Sequence, residues 1–132
     1  VVKKDDKYLL VQEGKAEARG MWNLPAGRVE IGETIIGAAI RETKEETGYD
    51  VEIERELTVF HEDGEKAVKH IFEAKVIGGE LKFPPSEIMD VRWFTVDEIE
   101  SMKSKLRREW IIEVIKDGLT SRISNASKIS SL

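Results

Sequence analysis

The chain has no cysteine, which excludes disulfides, thiolate nucleophiles and thiolate metal ligands. No apolar run approaches the ~18 residues that a membrane-spanning helix needs, and no segment has the pattern of a secretory signal. Positive charge is also short: the net charge is −5 although 36% of residues are charged. A protein that grips polymeric nucleic acid would show a basic stripe and a positive balance. The deficit does not exclude a small phosphorylated ligand, because a bound metal can supply the missing charge. Proline is scarce, three in all, two of them adjacent at Pro84-Pro85. There is no internal repeat and no linker-like stretch. The expected location is the cytoplasm. The chain opens on Val1-Val2 without Met, so upstream residues are expected and the first strand reads as shortened.

What remains suits one domain. The chain has 132 residues, and 40% of them are hydrophobic, enough for a single packed core. Val1-Val2 and Tyr8–Val11 flank Lys-Asp-Asp-Lys and read as a hairpin. Residues 14–21 are a polar loop. A helix is expected from Thr34, as N-cap, to Gly48, as left-handed C-cap. Residues 51–60 and 67–76 alternate as strands. Gly78-Gly79 reads as a turn into a strand at 80–83, which Pro84 ends. Residues 91–94 read as a further strand. Thr95 and Glu98 are spaced as a capping box for a short helix. A last helix is expected over 105–117, with Leu106, Trp110, Ile111, Val114 and Ile115 as its apolar stripe and Gly118 as its stop. Residues 121–132 hold five serines and are expected to fray. Strands before and after one long helix give an α/β protein, a mixed sandwich.

Within the long helix and the loop before it stand Gly27, Glu33, Arg41, Glu42, Glu45, Glu46 and Gly48. They form the pattern G-x5-E-x7-R-E-x-x-E-E-x-G. Even in a Glu-rich chain, seven such offsets arise by chance on the order of 10⁻⁵ times. On a helix, positions three and four apart share a face, so Glu42, Glu45 and Glu46 are neighbours. Ile36, Ala39, Ile40 and Thr43 lie opposite and are expected to face the core. Like charges at i, i+4 destabilise a helix by a few tenths of a kcal/mol, so this cluster calls for a cation. Hard oxygen donors suit Mg²⁺, with Mn²⁺ as a substitute. The plain alternative is a solvated helix face partly neutralised by Lys44 and Arg41; the seven offsets together favour the metal. Arg41 can pair with Glu45 on the next turn or with Glu33 across the loop.

The pattern resembles the signature of the Nudix hydrolase family. Thr43 departs from it, since that position is usually aliphatic. The resemblance implies an α/β/α sandwich with a mixed central sheet, one domain over 1–120. It implies metal-dependent attack of water on a diphosphate bond. Glu42, Glu45, Glu46 and the Ala26 backbone carbonyl would be metal ligands, while Glu33 and Arg41 would hold the loop and orient the carboxylates. The general base would be Glu42, Glu45 or the loop residue Glu87, with Asp90 as a rival. Arg28, Arg19 and Lys15 are candidate phosphate contacts, Arg28 first because it adjoins Gly27. Trp22, Phe60 and His61 could stack on a base, although Phe60 reads better as core. Trp93 and Trp110 read as packing residues, and His70 as structural.

Substrate signals are softer. Residues 62–68 hold neither the Pro nor the Tyr seen in the ADP-ribose and dinucleoside-polyphosphate groups, and the array of the NADH group is absent. Residues 21–28 and 86–94 resemble bacterial phosphatases of thiamin-pathway pyrophosphates and nucleoside di- and triphosphates. Together with 76–82, they also resemble animal phosphatases of oxidised guanine nucleoside diphosphates. The expected partner is therefore a small phosphorylated molecule, a nucleoside di- or triphosphate, with no polymeric nucleic acid and no membrane. Many family members form homodimers. The alternatives are a non-catalytic binding or regulatory module, or a non-nucleotide pyrophosphate such as a thiamin precursor. A module of that kind typically loses carboxylates that are all present here.

Overall fold

The computed structural model describes residues 1–62 and 68–118. The elements are β1 (Lys3–Lys4), β2 (Lys7–Glu13), β3 (Trp22–Asn23), α1 (Ile35–Thr47), β4 (Tyr49–His61), β5 (Val68–Gly79), β6 (Ile88–Thr95) and α2 (Val96–Ser101). A third helix, α3, begins at 110 and is described to 118. The fold is assembled on β2, whose Leu9, Leu10 and Val11 are all buried. Such a continuous apolar run suits a strand covered on both faces. One edge of β2 pairs with β1 and β3, the other with β6, all antiparallel. Asp5, in the tight turn from β1 to β2, has φ 57, which a short polar side chain tolerates.

β4 and β5 form a long antiparallel hairpin. A parallel bridge, Val2 to Ala74, joins it to the β2 sheet, with the Ala74 N–H donating to the Val1 carbonyl at 2.8 Å. The sheet is therefore mixed. Alternation along β2 sends Tyr8 and Leu10 to one face, where they meet Ile99 of α2 and Ile111, Ile112 and Ile115 of α3. Leu9 and Val11 go to the other face with Val51, Val91 and Ile40 of α1. Helices thus cover both faces, as an α/β/α sandwich requires. No helix among the described residues is long and apolar enough to cross a membrane.

Several expected boundaries are corrected. The last helix does not begin at 105. Lys103–Lys105 form a 3-10 turn, Leu106 bridges Trp22, and the Arg107 N–H donates to the Trp22 carbonyl at 2.7 Å. Those backbone groups are committed to a distant strand, so the helix starts at Trp110, and it still includes Gly118. Gly78 and Gly79 are paired inside the hairpin ladder with Asp50 and Tyr49 rather than forming a turn. Residues 80–83 form no strand, and the Lys82 N–H is spent on the Thr47 carbonyl. Ile36 is 47% exposed rather than inward. The helix meets the sheet through its C-terminal half, where Ile40 packs and Thr43 and Thr47 are buried. The expectations for the β4–β5 loop and for residues 121–132 lie outside the described residues.

Candidate active site

Both ends of α1 are fixed by local chemistry. The Thr34 hydroxyl accepts the Gly37 N–H at 2.9 Å. A Cβ at Gly37 would stand 2.9 Å from that hydroxyl oxygen, so glycine there leaves the cap room. Gly48 closes the other end with φ 82, its N–H donating to the Lys44 carbonyl.

Arg41 ties the helix to the loop before it. Its Nε and Nη2 donate to the two Glu33 oxygens at 2.6 and 2.9 Å. Nη1 reaches Glu42 at 2.8 Å and Glu45 at 3.2 Å, and Nη2 also donates to the Arg28 carbonyl at 3.0 Å. The planar fork makes such a bidentate clamp possible; a lysine could not reproduce it. The Arg41 hydrogen bond, then the Glu30 N–H, hold the Glu33 carboxyl below its ordinary range. The Glu33 carboxylate first, then Glu42 and Glu45, raise the Arg41 pKa further.

The loop closes directly onto the carboxylates. A Cβ at Gly27 would stand 1.9 Å from the Glu42 carboxyl carbon. The Ala26 N–H donates to Glu46 at 3.3 Å. Burial pushes the Glu46 carboxyl up to about 8; the Ala26 N–H opposes this, while the charges of Glu42, Glu13 and Glu87 add to it. Carboxylates from three parts of the chain therefore bear on Glu46 here. Glu87 comes from the loop before β6, which is docked by the Gly14 N–H on the Glu87 carbonyl at 2.8 Å. Glu13 ends β2, where the register against β6 shifts, and Asn23 donates to it at 2.9 Å. Sequence reasoning missed Glu13, since a glutamate at a strand end carries no motif.

Among the described residues no three carboxylate or imidazole groups converge as a ready cation cage. Arg41 holds Glu42 and Glu45, and Ala26 holds Glu46. The chemistry of the donor set nonetheless fits a hard dication. The donors are acceptor-only oxygens, and their mutual repulsion is what an added positive charge relieves.

Other expected residues are distributed as follows. Arg28 is exposed beside Gly27. Arg19 is exposed and donates to the Gly14 carbonyl at 3.1 Å, bracing the loop after β2. Trp22 needs correction as a stacking platform. It is 8% exposed and packs edge-on against Phe94 at 5.0 Å, because its strand carries it into the core beneath α3. Asp90 is engaged by the Val91 N–H and by Arg92 at 2.6 Å. Phe60 packs against Trp110 at 5.2 Å and Trp93 against Tyr49 at 6.0 Å. His70 contacts Glu56 at 3.3 Å. Two clefts flank the hairpin, one against α3 and one against α1, and neither is lined by Glu42, Glu45 or Glu46.

A mixed sheet between helices, with a carboxylate-bearing helix clamped by an arginine onto a glycine loop, is the architecture of the Nudix class. Residues 1–117 match the NUDIX domain, and the chain belongs to the Nudix family. It is 40% identical over 114 residues to the human protein "8-oxo-dGDP phosphatase NUDT18", covering 84% of this chain and 34% of that one. It is 38% identical over 119 residues to "Putative nudix hydrolase 1" of Caenorhabditis elegans, covering 89% and 32%. The chain thus spans about a third of the length of these curated relatives. Among solved structures, a NUDIX hydrolase from Nitrosomonas europaea superposes with a TM-score of 0.81 at 31% identity, covering 92% of this chain and 85% of the other.

Proposed function

We propose that this domain hydrolyses a diphosphate bond in a nucleoside di- or triphosphate, or a related nucleoside diphosphate derivative, using a divalent metal ion. The observation that carries this is Glu46, half-buried, held by the Ala26 N–H and facing the charges of Glu42, Glu13 and Glu87. A partly desolvated cluster of one sign of charge is costly unless it serves a counter-charge. The name of the human relative, an 8-oxo-dGDP phosphatase, supports a nucleoside diphosphate as substrate.

Glu42, Glu45 and Glu46, with the Ala26 carbonyl, would hold Mg²⁺, or Mn²⁺ in its place. A dication bound there lowers the pKa of its water and offsets charge on the phosphoryl oxygens. Arg41, locked by Glu33, keeps Glu42 and Glu45 aimed into the site. Glu87 takes the proton from the attacking water, because it is a loop carboxylate close enough to act on Glu46, whereas Asp90 is engaged by Arg92. Arg28, beside Gly27, meets the phosphate from the loop.

The test is turnover of dGTP, 8-oxo-dGTP, 8-oxo-dGDP, ADP-ribose, diadenosine tetraphosphate and thiamin pyrophosphate with Mg²⁺, for wild type and Glu46→Gln. The expected result is hydrolysis of the nucleoside phosphates that falls at least about 100-fold in the variant, roughly 2.7 kcal/mol. No turnover by wild type, with a Mg²⁺-induced rise in Tm intact, would instead identify a non-catalytic binding module. Turnover of thiamin pyrophosphate alone would move the substrate outside nucleotides.

A further inference from the structure

The end of β2 is irregular where it carries Glu13. The register of β2 against β6 runs unbroken from Lys7 to Gln12 and shifts between Gln12 and Glu13. A bulge of this kind re-aims the side chain it carries. The backbone around it is held from several sides. The Glu13 N–H donates to the Met21 carbonyl at 2.8 Å, the Glu13 carbonyl accepts the Gly20 N–H at 2.8 Å, and the Gly14 N–H goes to the Glu87 carbonyl. Glu13 therefore stands on a fixed base.

Asn23 bridges that base to the loop before α1. Its Nδ2 donates to Glu13 Oε1 at 2.9 Å, and its Oδ1 accepts the Leu24 N–H at 2.8 Å. The amide can sit only this way round, since a carboxylate cannot donate and a backbone N–H cannot accept. Beyond Asn23 the chain forms no helix or strand until α1 begins at Ile35. Two residues past Leu24, the Ala26 N–H meets Glu46 at 3.3 Å. That bond is longer than the usual range, so it depends on what holds the other end of the run. Glu13 is an unfavourable choice for mere support, because its charge bears on Glu46 and a neutral residue would avoid this. What a carboxylate adds is a stronger and shorter hydrogen bond from the Asn23 amide than a neutral acceptor makes.

We propose that Glu13 is a positioning residue of the active site: through Asn23 it sets the backbone at 24–26, so that Ala26 keeps its N–H on Glu46 and its carbonyl available to the metal. This rests on the hydrolase reading above and adds to it a residue from outside the carboxylate helix and its loop. Glu13 acts through Asn23. It takes neither the metal nor the proton, because Oε1 is committed to the amide.

The experiment compares wild type with Glu13→Ala, Asn23→Ala, the double variant and Glu13→Gln, which keeps an acceptor for Asn23 without the charge. Three quantities would be read: kinetics with Mg²⁺ on 8-oxo-dGDP, or on the panel member that wild type hydrolyses fastest; calorimetric affinity for Mn²⁺ alone; and the Ala26 amide resonance of the metal-free protein. Each alanine variant should lower kcat about 10-fold with KM within about two-fold, and weaken Mn²⁺ binding about 10-fold, as loss of a group that orients a metal ligand does. The Ala26 resonance should shift in both. The double variant should be no worse than either single one, because the two residues act as a unit, and Glu13→Gln should recover most of the loss. Asn23→Asp keeps the Leu24 acceptor and loses only the donor to Glu13; it should match Asn23→Ala and serves if an alanine variant fails to fold. Losses that multiply in the double variant, a change confined to KM, a Glu13→Gln variant as impaired as Glu13→Ala, or an unmoved Ala26 resonance would each overturn the proposal. If wild type turns over nothing, the hydrolase reading fails, and the resonance decides the inference alone. A shift in both alanine variants that Glu13→Gln reverses then supports it, and no shift overturns it.

Discussion

At Gly27 the loop touches α1 so closely that a side chain would occupy the place of the Glu42 carboxylate, 1.9 Å from its carbon. Gly27→Ala must therefore push Glu42 out of its bond to Arg41 or lift the loop off the helix. We expect the fold to survive, because the loop is exposed at 27–31. Activity should fall at least about 10-fold, since misplacing a catalytic group by ~1 Å can cost far more. Steady-state kinetics beside a thermal melt would show it; a variant with full activity would mean that Glu42 is free to move without consequence. The seven motif residues were legible in the sequence because their spacing alone puts them on one loop and one helix face. Trp22 was not. An aromatic beside a loop looks like a ligand platform until the strand that carries it is seen to run beneath α3.

Helix α2 shows the element scale. Thr95 accepts the Glu98 N–H at 3.2 Å, and Glu98 accepts the Thr95 N–H at 3.0 Å in return. The Thr95 N–H first, then the Thr95 hydroxyl, hold the Glu98 carboxyl below its ordinary value of 4.5. A depressed folded pKa gives stability that is fully present above the unfolded value and is lost as pH falls through the folded one. Thr95→Ala should cost about 1 kcal/mol at neutral pH. Glu98→Gln should be less stable than wild type above about pH 4.5, with the gap closing as pH drops. Urea titrations across pH would check both; a gap that widens in acid would contradict the sign. Caps of this kind, like Thr34 and Gly48 on α1, were readable because they involve residues three or four apart. The start of α3 was not, since Arg107 answers to Trp22, a residue far away in sequence.

For the molecule as a whole, β2 is the shared wall of two cores. Leu9 and Leu10 are each fully buried, one among the residues under α1 and the other among those under α2 and α3. Leu10→Ala should cost about 2–5 kcal/mol by lost burial and the cavity left behind, measured as a shift in the denaturation midpoint. A loss under about 1 kcal/mol would mean that the α3 face collapses easily onto the gap. By its composition and spacing, the sequence determined an α/β fold, an arginine-clamped carboxylate helix with its two caps, and the family. All of these rest on local periodicity and on contacts within a turn or a loop. Only the tertiary structure decided that Glu13 and Glu87 join Glu46, that Trp22 is core, that 80–83 is no strand, and that Asn23 bonds Glu13. Each of these depends on which backbone and side-chain groups distant segments leave for one another, and that pairing is set by packing and burial rather than by neighbours in the chain.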